Sequence, residues 1–332
     1  MTFAIAGAGA IGGFLGARLA LAGEKVTFIA RGANLDAIRK NGFTLIEEDG
    51  TERNAACAAA AIGEAEPHDF VLLALKAHQV TAIAKELPRL FHDRTAVVTL
   101  QNGLPWWYFH KLEGPFNGRP VLSADPDGQI AANIGADRVI GTVVYPASEL
   151  IAPGVVKVVE GNRFTLGEPD GSKSERIQRL SEALNKAGFK APISTDIRAE
   201  IWLKLWGNAT FNPISALTHA TLADICQFPE TRALASAVMT EVQTVAEKLG
   251  ARSRISIEKR IAGAEAVGAH KTSMLQDVEA GRPLELEALT GSVIEFARLT
   301  ETPTPHLDAI HACARLLAKT LADRKGKLRI EP

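Results

Sequence analysis

A glycine-rich segment near the start of the chain limits the possible folds more than any other feature. It reads Gly7-Ala8-Gly9-Ala10-Ile11-Gly12-Gly13, follows a short apolar run, Phe3–Gly7, and opens an alanine-rich helical pattern that extends to about Ala22. Glycines at this spacing permit a tight strand-to-helix turn, a close approach of the backbone to a diphosphate, and close packing of the helix on the strand. The segment therefore predicts a Rossmann-type unit that binds a dinucleotide. The residues expected at the dinucleotide are Gly7, Gly9, Ala10, Ile11 and Gly12.

Short strand-like runs alternate with longer helical patterns in the first half of the chain. The runs that follow the first one are Lys25–Arg31, Asp69–Lys76 and Ala96–Asn102. Such alternation predicts a parallel sheet with crossover helices. The alternative for the glycine-rich segment is a simple turn, which would not need this alternation around it. Two more strand-like runs lie between Arg138 and Gly167 and are separated by a Pro-Gly turn. We expect them to extend the sheet at one edge.

The strand signals disappear beyond Asp196. Long helical patterns such as Thr231–Leu249 and Leu284–Leu299 take their place. A chain of 332 residues is also long enough for two separate cores. The sequence therefore predicts two domains: an α/β Rossmann-type, dinucleotide-binding domain over residues 1–196, and an all-α domain over residues 197–332. We expect the second domain to supply the substrate site and the catalytic residues.

Charge and cysteine content narrow the class of protein. Lys and Arg number 37 against 38 Asp and Glu, so no global field favours nucleic acid or an anionic membrane. Cys57, Cys226 and Cys313 are far apart and cannot all pair within one chain, which suits a reducing compartment. The apolar stretch Phe3–Ala10 is too short to span a bilayer, and no basic leader region precedes it. We therefore expect a soluble, unprocessed, cytoplasmic protein with no nucleic-acid, membrane or metal site.

The end of the second predicted strand indicates which dinucleotide is bound. NAD enzymes usually place Asp or Glu there, against the ribose 2′-hydroxyl, whereas this chain reads Phe28-Ile29-Ala30-Arg31-Gly32. A guanidinium at this point can bind a 2′-phosphate through two hydrogen bonds, so Arg31 predicts NADPH. The alternative is an ordinary solvated surface arginine. Lys76, at the end of another strand, is a second cation expected on the phosphate side of the cofactor.

Asn102 ends the last strand-like run of the first hundred residues. Within Gln101-Asn102-Gly103, its carboxamide offers a donor and an acceptor at the expected nicotinamide end, and the glycine permits close approach. The alternative is a common Asn-Gly turn.

A polar stripe is predicted on the helix that follows Asp196. Lys204, Asn208 and Asn212 are spaced i, i+4, i+8, so they lie along one face. Pro213 disfavours helical geometry at the residue before it, so we expect Asn212 at the end of this helix. A solvated stripe is the alternative, although asparagine is a poor residue for an exposed helix interior.

A second polar cluster contains Ser273 and Glu285. Ser273 could bind a carboxylate oxygen, and Glu285 could hold a substrate hydroxyl or orient Lys204. The alternative is that these residues are helix caps, which is the common role of Ser, Thr, Asp and Glu at helix starts.

These segments together resemble the ketopantoate reductases. The resemblance spans nearly the whole chain, and the lysine helix and the Ser-Met-x-Gln-Asp stretch are its most specific parts. The matching segments are Gly7–Gly13, Arg31, Leu75–Ala77, Gln101–Gly103, Arg198–Leu205 with Asn208 and Asn212-Pro213, Ser273–Asp277 and Arg282–Glu285.

The resemblance implies a role for each candidate residue. Lys204 is implied to be the general acid, Ser273 to hold the substrate carboxylate, and Glu285 to complete the substrate site. The residues implied to position substrate and nicotinamide are Asn102, Asn208 and Asn212. The implied fold is a Rossmann-type domain joined to an all-helical domain, the implied cofactor is NADPH, and a homodimer is possible.

The implied activity is reduction of ketopantoate to pantoate. One alternative is reduction of another small 2-oxo acid, with an aromatic or branched side chain, because Trp106 and Trp107 replace a smaller continuation after Gly103 and could line the pocket. Core packing of both tryptophans is equally compatible with the sequence. Another alternative is a protein that senses NADP(H) without turnover, which would not need the stripe of Lys204, Asn208 and Asn212.

Overall fold

The computed structural model describes residues 1–253 and 255–326. The chain divides after Glu200 into two compact units: the first comprises Met1–Val121 and Asp125–Glu200, and the second comprises Leu122–Ala124 and the chain from Ile201 onward. The division falls four residues after the predicted one at Asp196. Residues 327–332, the end of the second predicted domain, lie outside the described residues. The cofactor and catalytic roles of the two domains stay predictions.

A parallel sheet forms the centre of the first unit. Its strands are β1 (Thr2–Ala6), β2 (Lys25–Ile29), β5 (Ala58–Ala60), β6 (His68–Leu73), β7 (Phe91–Thr99), β8 (Val139–Val144) and β11 (Phe164–Gly167). In the described part of the chain their order is β11-β8-β7-β6-β1-β2-β5, and every pairing is parallel except β11 with β8. This arrangement confirms the predicted Rossmann-type fold.

Helices connect these strands and cover the sheet. They are α1 (Ala10–Leu21), α2 (Gly32–Asn41), α3 (Ala77–Ile83), α4 (Gln129–Ile134) and α5 (Glu175–Lys186). Buried aromatic rings fill the space beneath them: Phe3 stacks on Phe70, and Phe28 stacks on Phe43 with 4.7 Å between ring centroids. A parallel sheet buried on both faces needs such continuous apolar strands.

A second, four-stranded sheet corrects one prediction. It has the order β4-β3-β10-β9, with β3 (Phe43–Ile46), β4 (Glu52–Ala55), β9 (Ala147–Ala152) and β10 (Val155–Glu160). Each of the two runs between Arg138 and Gly167 thus contains two strands. β8 and β11 do extend the large sheet at one edge, but the expectation that β9 and β10 do so is wrong.

The physical reason for this division is visible in burial and in one residue type. Every residue of β8 is buried, as a strand inside a covered sheet requires, whereas β9 is half-buried or exposed and β10 alternates. Pro146, between β8 and β9, has no amide hydrogen to continue a ladder. The chain therefore leaves the large sheet at that point.

The second unit is helical, as predicted. Its helices are α6 (Ile197–Thr218, which begins in the first unit), α7 (Leu222–Gln227), α8 (Pro229–Lys248), α9 (Ile257–Ala266), α10 (Ser273–Glu279), α11 (Ser292–Leu299) and α12 (Pro305–Asp323). A π-helical turn, Glu287–Gly291, precedes α11, so the predicted helix Leu284–Leu299 starts late and is irregular. Among the described helices, none is both long and apolar enough to cross a membrane.

Candidate functional site

The glycine loop between β1 and α1 has the geometry that a dinucleotide needs. Gly7 has φ +109°, and a Cβ on Gly7 would stand 2.9 Å from the carbonyl oxygen of Ala74. A Cβ on Gly12 would collide with the carbonyl oxygen of Gly7. A Cβ on Gly9 would meet no atom within 4 Å, so the space above Gly9 is open.

The start of α1 adds a favourable field to that open space. The helix begins at Ala10, directly after Gly9, and its first turn contains no acidic residue. Free N–H groups and the positive end of the helix dipole therefore point at a position where a diphosphate can approach. The residues of this loop fit the cofactor that the sequence predicts.

Asn34 supports the same loop and was missed at the sequence level. Its Nδ2 donates to the carbonyl oxygen of Ala8 at 3.1 Å, and its Oδ1 accepts from the amide of Gly154 at 3.0 Å. Asn34 thus joins α2 and the turn before β10 to the glycine loop. Asn34 lies three residues after Arg31, but its partners are distant in sequence and no local pattern indicates them.

The candidate cofactor residues follow the carboxyl ends of the parallel strands, a side of the large sheet that we call its carboxyl edge. β6, β1 and β2 are adjacent and parallel, so the segments after their carboxyl ends are neighbours. Lys76 follows β6, the glycine loop follows β1, and Arg31 follows β2. Arg31 is the residue before α2 and is exposed. Lys76, the glycine loop and Arg31 therefore follow three neighbouring strands of this sheet.

Asn102 belongs to the same edge, because β7 pairs with β6 in parallel. The neighbouring Gln101 fixes the backbone here: its Nε2 donates to the carbonyl oxygens of Leu73 at 2.6 Å and Leu75 at 3.0 Å. Gly103 has φ +91°, a conformation that favours glycine. The chain at Asn102 is thus held by its neighbours, and its contact with a nicotinamide stays a prediction.

The two tryptophans after this turn are core residues of the first unit. Trp107 is 2% exposed, and its Nε1 donates to Thr99 Oγ1 at 3.0 Å. Its ring also lies against Gly141 of β8, where a Cβ would come within 2.6 Å of it. Trp106 is 8% exposed. Burial of this kind favours the packing interpretation over the pocket-lining one.

Helix α6 starts as predicted but ends later. Asp196 caps it, because its Oδ1 accepts from the Ala199 amide at 3.0 Å. The helix continues through Pro213 to Thr218, so the expectation that Asn212 ends it is wrong. Pro213 costs one backbone hydrogen bond. The helix tolerates this because residues on both sides of Pro213 are buried, Asn212 itself being 5% exposed.

Arg198 secures the first turn of α6 and had no assigned role. Its guanidinium donates to the carbonyl oxygens of Tyr108 at 2.8 Å, His110 at 2.6 Å and Pro169 at 2.6 Å. These bonds tie the helix start to two loops of the first unit. The only sequence signal was its place in the segment Arg198–Leu205, and that segment gave no indication of its partners.

Lys204 has a strongly lowered pKa. Part of its surface stays exposed, yet the density of protein around it lowers the pKa of Lys204 to about 8, while the Glu285 carboxylate acts in the opposite direction. Removing an ammonium from water disfavours its charged form, and a nearby carboxylate partly restores it. Lys204 and Glu285 therefore interact, which the spacing of the sequence could not establish.

Two tryptophans of α6, Trp202 and Trp206, pack on other helices of the second unit. Trp206 donates from Nε1 to the carbonyl oxygen of Met239 at 2.8 Å, and the Trp202 ring meets Phe296 edge-on at 6.3 Å. These contacts occupy other faces of the helix. Lys204 and Asn208 are half-buried on their own face.

In the second cluster, Thr272 caps a helix, whereas Ser273 does not. Thr272 caps α10, because its Oγ1 accepts from the Leu275 amide at 3.3 Å. Ser273 is the next residue and is exposed. The capping alternative therefore applies to Thr272 rather than to Ser273. Glu285 lies just before the π-helical turn and is half-buried, and its carbonyl oxygen accepts from the Leu289 amide at 3.2 Å.

Comparisons with known proteins cover both units. A family described as "Ketopantoate reductase PanE/ApbA" matches residues 3–171, and its C-terminal counterpart matches residues 196–318. A 2-dehydropantoate 2-reductase of Mesorhizobium japonicum is 53% identical over 320 residues, which are 96% of this chain and 98% of that protein.

Two solved structures are also similar. A crystal structure assigned to the ketopantoate reductases, from Ralstonia solanacearum MolK2, has a TM-score of 0.92 and 39% identity, covering 96% of this chain and 98% of that one. A ternary structure of D-mandelate dehydrogenase with NADH and anilino(oxo)acetate has a TM-score of 0.82 over 97% of this chain and 100% of that one. At 21% identity, the latter shows a shared fold alone.

Proposed function

Because this chain belongs to the ketopantoate reductase family, we propose that it catalyses the NADPH-dependent reduction of 2-dehydropantoate (ketopantoate) to pantoate. The chain is thus an oxidoreductase that uses a nicotinamide cofactor and acts on a CH–OH group. The observation that carries the proposal is Lys204, with its pKa lowered to about 8 beside Glu285. A lysine whose pKa lies near neutral pH can give up a proton during turnover, which an ordinary surface lysine does poorly.

The cofactor site is assigned to the carboxyl edge of the large sheet, where the parallel strands end. NADPH supplies the hydride when bound. The residues that would hold it are Gly7, Gly9, Ala10, Ile11, Gly12, Arg31, Lys76 and Asn102. The open space at Gly9 and the start of α1 support the assignment for the diphosphate. Arg31 supports it for a 2′-phosphate, because no carboxylate ends β2.

The proton step is assigned to Lys204. As C2 of the oxo acid gains the hydride, negative charge grows on its oxygen, and the Lys204 ammonium stabilises that charge and donates a proton to it. Glu285 keeps Lys204 protonated before turnover. Asn208 and Asn212 orient the substrate through their carboxamides, and the Ser273 hydroxyl donates to its carboxylate.

A panel of 2-oxo acids, assayed by the absorbance of NADPH and NADH in parallel, tests the proposed function. We expect ketopantoate with NADPH to give the highest kcat/KM. Higher kcat/KM for an aromatic or branched acid would identify the alternative reductase. Cofactor binding with no turnover of any acid would identify a sensor and refute the proposal.

The pH dependence of ketopantoate reduction follows from the pKa of Lys204. The ammonium is the reactive form, so kcat/KM is expected to be flat below pH 8 and to fall as Lys204 loses its proton above about pH 8. Glu285→Gln removes the carboxylate that raises this pKa, so the decline should move to lower pH.

The matched control for this profile is Glu287→Gln, which removes an exposed carboxylate two residues further along the chain. Its decline should coincide with that of the unmodified protein. A decline in Glu285→Gln at the original pH would show that Glu285 does not support the Lys204 charge.

The proposed setting is a reducing cytoplasm. All three cysteines lie in the described part of the chain and none forms a disulfide. Burial raises the pKa of Cys57 to about 11, which keeps that thiol unreactive. A homodimer stays a prediction.

A further inference from the structure

An arginine from α9 lies directly against the stripe-bearing helix. A Cβ on Gly207 would collide with Nη2 of Arg260 and would stand 3.2 Å from its Cζ. The guanidinium therefore occupies the position that a side chain at 207 would fill. Side chains on a helix lean over the preceding turn, so this position is next to the turn that carries Lys204.

The distance along the helix is correspondingly short. Gly207 is three residues after Lys204 and one before Asn208. With a rise of about 1.5 Å per residue, the guanidinium is within one helical turn of both in the axial direction. In a 2-oxo acid, the carboxylate is bonded directly to the carbonyl carbon that is reduced. A group that binds this carboxylate must therefore be close to the group that protonates the carbonyl oxygen.

The charges already assigned to the site leave the substrate carboxylate without a counter-ion. Lys204 is balanced by Glu285, and Asn208, Asn212 and Ser273 are neutral. A carboxylate brought near Glu285 without another cation would be repelled. Guanidinium binds carboxylate through two parallel hydrogen bonds, which suits a planar 2-oxo acid.

We propose that Arg260 binds the carboxylate of the 2-oxo acid substrate, with Ser273 as a neutral second donor. This inference rests on the proposed function. It also gives Gly207 a role, because only a residue without a side chain leaves room for the guanidinium against α6. The competing explanation is that Arg260 serves only to pack α9 on α6.

The experiment compares a 2-oxo acid with its uncharged ester. kcat/KM is measured for 2-oxoisovalerate and methyl 2-oxoisovalerate, and for ketopantoate, in the unmodified protein and in Arg260→Gln, Arg260→Lys and Gly207→Ala. The matched control is Arg252→Gln, which removes an exposed arginine from the same unit. Circular dichroism and NADPH affinity check that each variant folds.

We expect Arg260→Gln to lower kcat/KM for both acids by about 10- to 100-fold, the usual value of a charged hydrogen bond, with little change for the ester. Arg260→Lys should recover part of the loss. Gly207→Ala should act in the same direction, because its methyl group displaces the flexible end of Arg260. Arg252→Gln should leave the acid-to-ester ratio unchanged.

An equal loss for acid and ester in Arg260→Gln would show a packing role and overturn the inference while leaving the proposed function intact. Unchanged kcat/KM for both acid and ester in that variant would overturn it as well. If the unmodified protein reduces no 2-oxo acid at all, the proposed function fails and takes the inference with it.

Discussion

Lys204→Ala is expected to lower kcat for ketopantoate reduction by about 10²- to 10⁴-fold, the usual contribution of a positioned general acid. The affinity for NADPH should stay nearly unchanged. The reason is that Lys204 is on the part of α6 in the second unit, whereas the glycine loop, Arg31 and Lys76 all belong to the first unit. Initial rates at saturating substrate and a fluorescence titration with NADPH measure the two quantities.

The control for this variant is Lys259→Ala, which removes an exposed lysine from α9. It should keep full activity. Full turnover in Lys204→Ala would rule out Lys204 as the proton donor. A large loss of NADPH affinity in that variant would move Lys204 from proton transfer to cofactor binding.

Arg31→Ala should weaken NADPH binding by about 10- to 100-fold, as expected for loss of a charge-assisted contact with phosphate. NADH has no 2′-phosphate, so its Kd should change little and the preference between the two cofactors should shrink. Competitive titrations of both cofactors give the ratio directly. Because Arg31 precedes α2 and is exposed, the substitution should not disturb the fold.

Arg39→Ala is the matched control, since Arg39 is an exposed arginine of α2 that pairs with Glu64. It should leave the cofactor preference intact. Equal affinity of the unmodified protein for NADPH and NADH would contradict the role given to Arg31, and so would an equal loss for both cofactors in Arg31→Ala.

Local features of the sequence predicted the strand, the turn and the helix around the glycine loop. The turn from β1 into α1 depends on residues that are adjacent in the chain, and the glycines at 7 and 12 are required by contacts within this one unit. The helical nature of the second unit was likewise predictable, because hydrophobic periodicity is a local property.

Features that depend on distant partners were not predictable. In the run from Val139 to Ala152, Pro146 marks an interruption, but it does not show that β8 and β9 belong to different sheets, since strand pairing is a tertiary property. Pro213 was interpreted as a helix end because its local cost is clear, while the burial that offsets the cost comes from other helices. The position of Arg260 against Gly207 joins residues 53 positions apart, and no spacing rule relates them.

The π-helical turn Glu287–Gly291 has a consequence for how this protein can vary. A π-turn holds one residue more than the α-helical turn it replaces. Deleting a single residue there would leave a regular helix, but it would rotate everything before it by about 100° around the helix axis relative to α11. Glu285 lies just before this turn and would be rotated away from Lys204. The length of this segment is therefore under stricter constraint than the identity of most residues in it, and insertions or deletions between Glu285 and Ser292 should be selected against even where substitutions are tolerated.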